Sequence, residues 1–450
     1  MKHKHKPHLR ENFGSQFGLI MSVVGSAVGL GNVWRFSYIL GINGGGAFLL
    51  IYILCVCFIG LPMLISELVI GRTSGLSTVS AFQKLAPNSF WWITGAVAVM
   101  SCVIIACYYP IVVSWSLGYV FESIFNWNSL TIDAGAAFNA FSSGWKSLFF
   151  ASIAILITAI ILFRGIIAGI EKYSKALMPL LAVIMIILVI RSLTLPGSAA
   201  GLYFLFYPDF SKLTVDGMLD ALGHSFYSLS LGMGIIITYA SYMKRDTNLA
   251  QAAVSVIILD TLAALFTGIA VFSIVFAMGL NPAQGAGLAF VTLPVAFTQM
   301  PLGQFFSALF FALISIAAIT SMISIFQVPL AFLEDHFGFS KKKGLTIICA
   351  VVILFGIPSA LSFGLLSNWT ILGMDYFTFL DRLANNVFLP IASILGILFI
   401  IFKFGVAAST KEFLAGAKRK NKFLASLYGI SIRFIAPIAI IIILLRAILM

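Results

Sequence analysis

The chain has 450 residues, of which 61% are hydrophobic and only 9% charged. That balance excludes a soluble enzyme with a solvated surface and marks an integral membrane protein. The formal net charge of +12 does not imply a nucleic-acid partner, because the basic residues fall between apolar runs, as the positive-inside rule requires.

Residues 1–10 are basic and histidine-rich rather than apolar, so no cleavable signal pattern is expected and the first span stays in the mature chain. His3, His5 and His8 read as a solvated tail. Beyond it about eleven apolar runs follow, each of a length that crosses the hydrocarbon. They are taken as spans 1 to 11: 14–38, 46–70, 91–122, 147–163, 169–191, 217–243, 250–279, 301–335, 344–362, 376–402 and 424–447. With the N-terminus inside, most of the 27 lysines and arginines lie on inward segments, the run Lys341, Lys342 and Lys343 among them. The outward half keeps Arg35, Lys146, Arg191, Lys212, Arg382 and Arg446, so the charge bias fixes the orientation. An odd number of spans places the C-terminus outside. The loops are too short for a soluble catalytic domain. Cys55, Cys57, Cys102, Cys107 and Cys349 all lie in apolar runs and are expected to be unpaired core residues.

Span 1 contains Gly25-Ser26-Ala27-Val28-Gly29-Leu30-Gly31-Asn32-Val33-Trp34-Arg35. Glycines at 25, 29 and 31 each weaken a helix interior by roughly 1 kcal/mol relative to alanine. Gly25 and Gly29 also form a small-xxx-small packing face, but packing does not explain Asn32 and Arg35 at membrane depth. Backbone opened inside a bilayer must be satisfied by a cavity or a ligand. The pattern therefore reads as a broken helix, with freed carbonyls facing a cation and freed amides an anion. Ser228-Leu229-Ser230-Leu231-Gly232-Met233-Gly234 interrupts span 6 in the same way. Two breaks at corresponding places in two five-span halves point to an inverted repeat with a midplane site. The halves run over about 11–191 and 217–402.

Ionisable groups inside spans mark partners or pathways. Arg35 and Asp381 lie toward the outer ends of spans 1 and 10 and are expected to pair across an entrance. Arg10, Asp335 and Tyr242 form the matching set at the inner end. Asp260, with no basic residue in its own span, calls for a bound cation. Glu67 is expected to tie neighbouring helices together. No nucleophile or acid–base pair converges in the membrane beyond Asp260 and His224, so an enzyme is not expected.

The string Gly25 to Arg35 resembles the span-1 signature of the neurotransmitter:sodium symporter family, and bacterial amino-acid members in particular. Asn43-Gly44-Gly45-Gly46-Ala47-Phe48, Glu67-Leu68-Val69-Ile70-Gly71-Arg72, Ser228-Leu229-Ser230-Leu231-Gly232 and Ala331-Phe332-Leu333-Glu334-Asp335 match the family too, in order along nearly the whole chain. The resemblance implies an all-α membrane fold of the leucine-transporter type, a 5+5 inverted repeat with discontinuous spans 1 and 6. The core is 11–402, followed by an inward basic loop and a final span over 403–450. It implies sodium-coupled symport of a hydrophobic or aromatic amino acid by alternating access in the bacterial inner membrane. An amino-acid sensor or channel on the same scaffold is the alternative.

Two sodium sites follow from the resemblance. The first takes the Ala27 carbonyl, Asn32, Ser228 and Asp260; the second takes carbonyls of Gly25, Val28 and Ala317 with the hydroxyls of Thr320 and Ser321. Oxygen-only ligands suit a hard cation. The substrate carboxylate would meet the Leu30 and Gly31 amides and Tyr109, and its amino group the carbonyls of Ala27, Tyr227 and Ser230. The side-chain pocket would comprise Ile105, Tyr227, Met233, Ser321 and Ile325, over Ser26 and Gly29, and Ser228 is counted among the substrate-binding residues as well. The chain departs from the family pattern at four positions: Asp260 replaces a frequent Asn, and Ala264 replaces the Ser of chloride-dependent members. His224 stands for Gln and Tyr227 for Phe. A carboxylate beside the first sodium supplies the charge chloride would bring, so chloride-independent transport is expected. Gly29 and Met233 leave room for a bulky substrate.

Overall fold

A computed structural model of the chain describes residues 11–285, 287–416 and 422–449. Among the described residues, nine helices are long and apolar enough to cross a bilayer, from Gly46–Ser74 to Lys422–Arg446. A tenth crossing is the pair Gln16–Ala27 and Gly31–Ile42, bent by 48° at its break. The segment expected as span 6 is divided into Val215–Ser228 and Ile235–Ala240, each too short to cross alone. Spans 1 and 6 are thus the interrupted ones.

The helices begin and end where local chemistry dictates. Ser15 caps span 1 by accepting the Gly18 amide at 3.0 Å. Asn248 caps Leu249–Ala277 and Ser340 caps Lys341–Leu361 in the same manner, satisfying amides that have no partner within the helix. A two-stranded hairpin, Thr370–Ile371 with Met374–Asp375, precedes span 10. Its turn residues Leu372 and Gly373 both have positive φ, the geometry that a tight two-residue hairpin turn requires.

Gly303–Phe337 packs along Trp92–Phe125 as the central scaffold, with Leu249–Ala277 and Ile166–Leu193 beside the first helix. The broken spans lie inside this frame: Ala27, Val28, Leu30, Leu229, Leu231 and Met233 are all buried. At the lysine-rich end the buried Arg72 guanidinium holds Glu412 at 2.9 Å and the Thr247 carbonyl at 2.6 Å. That clamp fixes the helix Val406–Phe413 beneath span 2.

All five cysteines are free, as expected, but only Cys102 and Cys107 are core residues. Cys55, Cys57 and Cys349 are half-buried, because their helices turn one face outward.

Candidate functional site

The break in span 6 carries three left-handed residues, Ser230 at φ 55°, Gly232 at 75° and Gly234 at 71°. A non-glycine residue in that region costs stability and is retained where its surroundings hold it. At Ser230 the hydroxyl donates to the Ser26 carbonyl at 3.1 Å. Other helices supply the partners the broken helix no longer provides. Glu67 Oε1 accepts the Gly232 amide at 2.7 Å, Thr78 donates to the Gly234 carbonyl at 3.0 Å, and Cys102 donates to the Met233 carbonyl at 3.2 Å. Glu67 is thus the tie between helices that its position foretells.

In span 1 the helix stops at Ala27; Val28, at ψ 83°, leaves the helical path. The chain resumes at Gly31. Asn32 lies just past the break, where its Nδ2 donates to the carbonyl and to Oδ1 of Asp260, both at 2.9 Å. Ser228 closes the group, donating to the two Asp260 carboxylate oxygens at 3.0 and 2.9 Å. The Tyr52 hydroxyl donates to Asp260 Oδ2 at 3.3 Å and to Ser228 at 3.2 Å. All four side chains are buried, and among the described residues no hydrogen-bond partner of the carboxylate is basic. Tyr52 is absent from the sequence-based set: in an apolar run at helical spacing it reads as one more core aromatic. The His224 ring packs beside it at a tilt, 5.3 Å from the Tyr52 ring and 5.8 Å from Phe36.

A second oxygen cluster lies on the other side of the break. Ser321 donates to the carbonyls of Ser26 at 3.1 Å and Gly25 at 3.4 Å. One residue earlier, Thr320 donates to the Ala317 carbonyl at 3.0 Å. Gly25 packs directly on Thr320, since a Cβ there would lie 3.4 Å from the Thr320 Cβ. Both clusters offer neutral oxygens, and the first adds the Asp260 carboxylate; oxygen-only donors of this kind suit a hard monovalent cation.

Between them is a pocket of about 20 Å³ lined by Ser26, Ala27, Gly29, Leu30, Gly31, Tyr109, Tyr227, Ser230, Met233, Ile235, Ser321 and Ile325. Two expected residues are not on its wall. Ser228 is engaged by Asp260 and Tyr52, and Ile105 is buried in packing at 1% exposure. Ile235 replaces them; it follows the last glycine of the span 6 break, where no periodic signal tells which way the restarted helix faces. The volume admits little more than one water-sized group, so the walls are drawn together. Above the pocket is a vestibule of about 670 Å³, with Arg35, Asp220, His224, Tyr227, Arg382, Asn385 and Arg446 on its walls. Tyr227 borders both spaces and separates them.

The gate residues differ in part from expectation. Arg35 makes no ion pair with Asp381. Its guanidinium lies over the Tyr227 ring, 4.8 Å from the centroid, while Asp381 Oδ1 accepts Asn385 Nδ2 at 2.7 Å. The cation meets an aromatic face and the carboxylate meets an amide. At the lysine-rich end Asp335 Oδ2 accepts the Ser77 amide at 2.6 Å. Tyr242 accepts at its hydroxyl from Gln327 Nε2 at 3.0 Å and at its carbonyl from the Phe13 amide at 3.0 Å. Arg10, the remaining member of that set, lies outside the described residues.

The family model described as the sodium:neurotransmitter symporter family matches residues 10–140 and 142–450. A protein described as the uncharacterized sodium-dependent transporter YhdH of Bacillus subtilis is 34% identical over 449 residues, 97% of each chain. A sodium-dependent transporter of Haemophilus influenzae is 32% identical over 96% of this chain and 97% of its own. The crystal structure of MhsT in complex with L-phenylalanine superposes with a TM-score of 0.89 at 40% identity, covering 97% of this chain and 100% of that one. The fold is accordingly that of an all-α, multi-pass membrane transporter, and the chemistry is transport rather than catalysis. This chain belongs to the sodium:neurotransmitter symporter family and is a sodium-dependent symporter.

Proposed function

We propose that the protein couples the inward movement of two sodium ions to that of one hydrophobic or aromatic L-amino acid, without chloride, by alternating access. The observation that carries the reading is the position of the small pocket. It is lined by both broken spans and flanked by two buried oxygen clusters, one of them built on Asp260. One sodium is assigned to Ala27, Asn32, Ser228 and Asp260, the other to Gly25, Val28, Ala317, Thr320 and Ser321. Sodium in these clusters would fix the breaks of spans 1 and 6 in the geometry the substrate needs, lowering the ordering cost of binding. The zwitterion's carboxylate is assigned to the amides of Leu30 and Gly31 with Tyr109, and its ammonium to the carbonyls around Ala27, Tyr227 and Ser230.

The apolar wall of Tyr227, Met233, Ile235 and Ile325 favours a large hydrophobic side chain. MhsT, whose structure holds L-phenylalanine, is consistent with that class. The vestibule faces the cell exterior in this reading, with the lysine-rich end in the cytoplasm and the membrane that of the bacterial cell. Tyr227 would close the vestibule side while Asp335, Tyr242 and Arg10 open the other.

The test is uptake of radiolabelled L-phenylalanine into proteoliposomes under an imposed sodium gradient, with each of the twenty amino acids as competitor. Accumulation above the external concentration, lost when the gradient is dissipated and competed best by large apolar residues, is expected. Uptake that only equilibrates would indicate a channel and end the symport reading.

A further inference from the structure

At the lysine-rich end two carboxylates are exchanged between the starts of two helices. From span 5, Glu171 reaches to the start of span 1, where Oε2 accepts the Gly14 amide at 2.6 Å and Oε1 accepts the Ser15 hydroxyl at 2.9 Å. In the opposite direction Glu11, just ahead of span 1, accepts the Ile166 amide on Oε2 at 2.7 Å. Ile166 is the first residue of the segment Ile166–Glu171, which opens span 5. Glu11 therefore rests on an amide that opens span 5, where amides have no helical acceptor and the dipole is positive, and Glu171 rests on the cap hydroxyl of span 1 and on the amide just ahead of it.

The surroundings are shaped for both carboxylates. Glu171 is 2% exposed and holds Lys175 at 2.5 Å on its own helix. A Cβ at Gly18 would fall 2.2 Å from Glu171 Oε1, so only glycine lets the carboxylate lie against span 1. A Cβ at Gly165 would fall 2.6 Å from Glu11 Oε2, and Gly165 also has φ 85°, a conformation open to glycine. The clasp therefore depends on two acids, two glycines and the hydroxyl of Ser15. The helix it secures is Gln16–Ala27, which carries Gly25 and Ala27 of the candidate site.

We propose that Glu11 and Glu171 are positioning residues of the transport cycle. Together they hold the inner end of span 1 against span 5, and both contacts break when the site opens toward the lysine-rich face. The inference rests on the alternating-access reading. It adds to that reading the pair of acids whose release lets the first helix swing away.

The experiment uses two reporters in chains whose five cysteines are replaced by alanine. Ser22→Cys lies on the first helix, buried at 1% exposure. Gly223→Cys faces the vestibule, and its Cβ meets nothing within 4 Å. The labelling rate with a charged methanethiosulfonate is measured for each, in sodium and in potassium. In the parent chain, replacing sodium by potassium should raise labelling at position 22 and lower it at 223; failure of that reciprocity defeats alternating access itself. Given reciprocity, Glu171→Ala and Glu11→Ala should each raise the position 22 rate in sodium by about tenfold. That is the change expected when a minor open state of a few per cent becomes a major one. The rate at position 223 should fall at the same time, which simple loosening of the fold would not produce. Glu171→Gln, which keeps an acceptor for the Gly14 amide, should lie between. Unchanged rates at position 22 in either alanine variant, or a rise at both reporters, overturns the proposal. If Glu171→Ala does not fold, Gly18→Ala displaces the same carboxylate from the facing helix and is read in the same way.

Discussion

One amide joins two spans at the centre of the molecule: Asn32 Nδ2 donates to both the main-chain carbonyl and Oδ1 of Asp260, at 2.9 Å each. The contact ties the resumption of span 1 to the middle of span 7 and leaves Asn32 Oδ1 facing Ser228, whose hydroxyl is 3.4 Å away. A carboxylate buried among neutral donors keeps its charge at least cost when a further positive charge reaches it. Asp260→Asn keeps the shape and removes the charge. The sodium concentration that half-saturates uptake should rise at least about tenfold, equivalent to 1.4 kcal/mol. Asp260→Ala, which strips Asn32, Ser228 and Tyr52 of their common partner, should abolish uptake. A sodium titration of initial rates checks both.

Chloride should be dispensable for the same reason. Replacing chloride by gluconate at constant sodium should leave the initial rate of uptake unchanged. Ala264 is fully buried on the helix that carries Asp260, one turn further along. Asp260→Asn combined with Ala264→Ser removes the fixed charge and offers a hydroxyl in its vicinity. The double variant should recover part of its uptake when chloride is restored. A wild-type rate that falls in gluconate would refute the charge argument.

Gly29 sets the floor of the pocket. A Cβ there would lie 2.2 Å from Ser321 Oγ, and that hydroxyl is already committed to the carbonyls of Ser26 and Gly25. Gly29→Ala must therefore either push Ser321 off its carbonyls or narrow the pocket. Uptake of phenylalanine should fall roughly a hundredfold, a loss of the size seen when a well-fitted contact is displaced, with less loss for alanine. Thermal unfolding should change little, since the added methyl sits at a cavity wall. Parallel uptake of the two amino acids makes the comparison.

The legible parts of the fold are those where the bilayer constrains composition. Runs of apolar residues gave the spans, and glycines beside Ser26, Asn32, Ser228 and Ser230 gave the breaks, because small and polar residues are costly at depth unless they have partners. The pocket wall was legible for the same reason, apart from Ile105, Ser228 and Ile235. What the sequence conceals is identity of partner. Tyr52 looks like any core aromatic until Asp260 is placed beside it. Glu11 and Glu171 look like surface acids at the ends of spans. Arg35 and Asp381 invite pairing by charge alone, yet the guanidinium lies over Tyr227 and the carboxylate meets Asn385.

That substitution of partners bears on the vestibule gate. The Arg35 guanidinium over the Tyr227 ring, 4.8 Å from its centroid, is a cation–π contact of about 0.5–2 kcal/mol depending on its hydration. It holds the aromatic ring across the boundary between vestibule and pocket. Tyr227→Phe keeps the ring face and should transport nearly as well as the parent. Tyr227→Leu removes it and should raise the KM for substrate by about 2- to 30-fold, the range that those energies span. Arg35→Ala should act like Tyr227→Leu. Asp381→Asn should have a smaller effect than either, because its main partner is Asn385 at 2.7 Å and not the guanidinium. Initial-rate kinetics on the four variants decide the order; an Asp381→Asn defect as large as that of Arg35→Ala would restore the direct ion pair as the working gate.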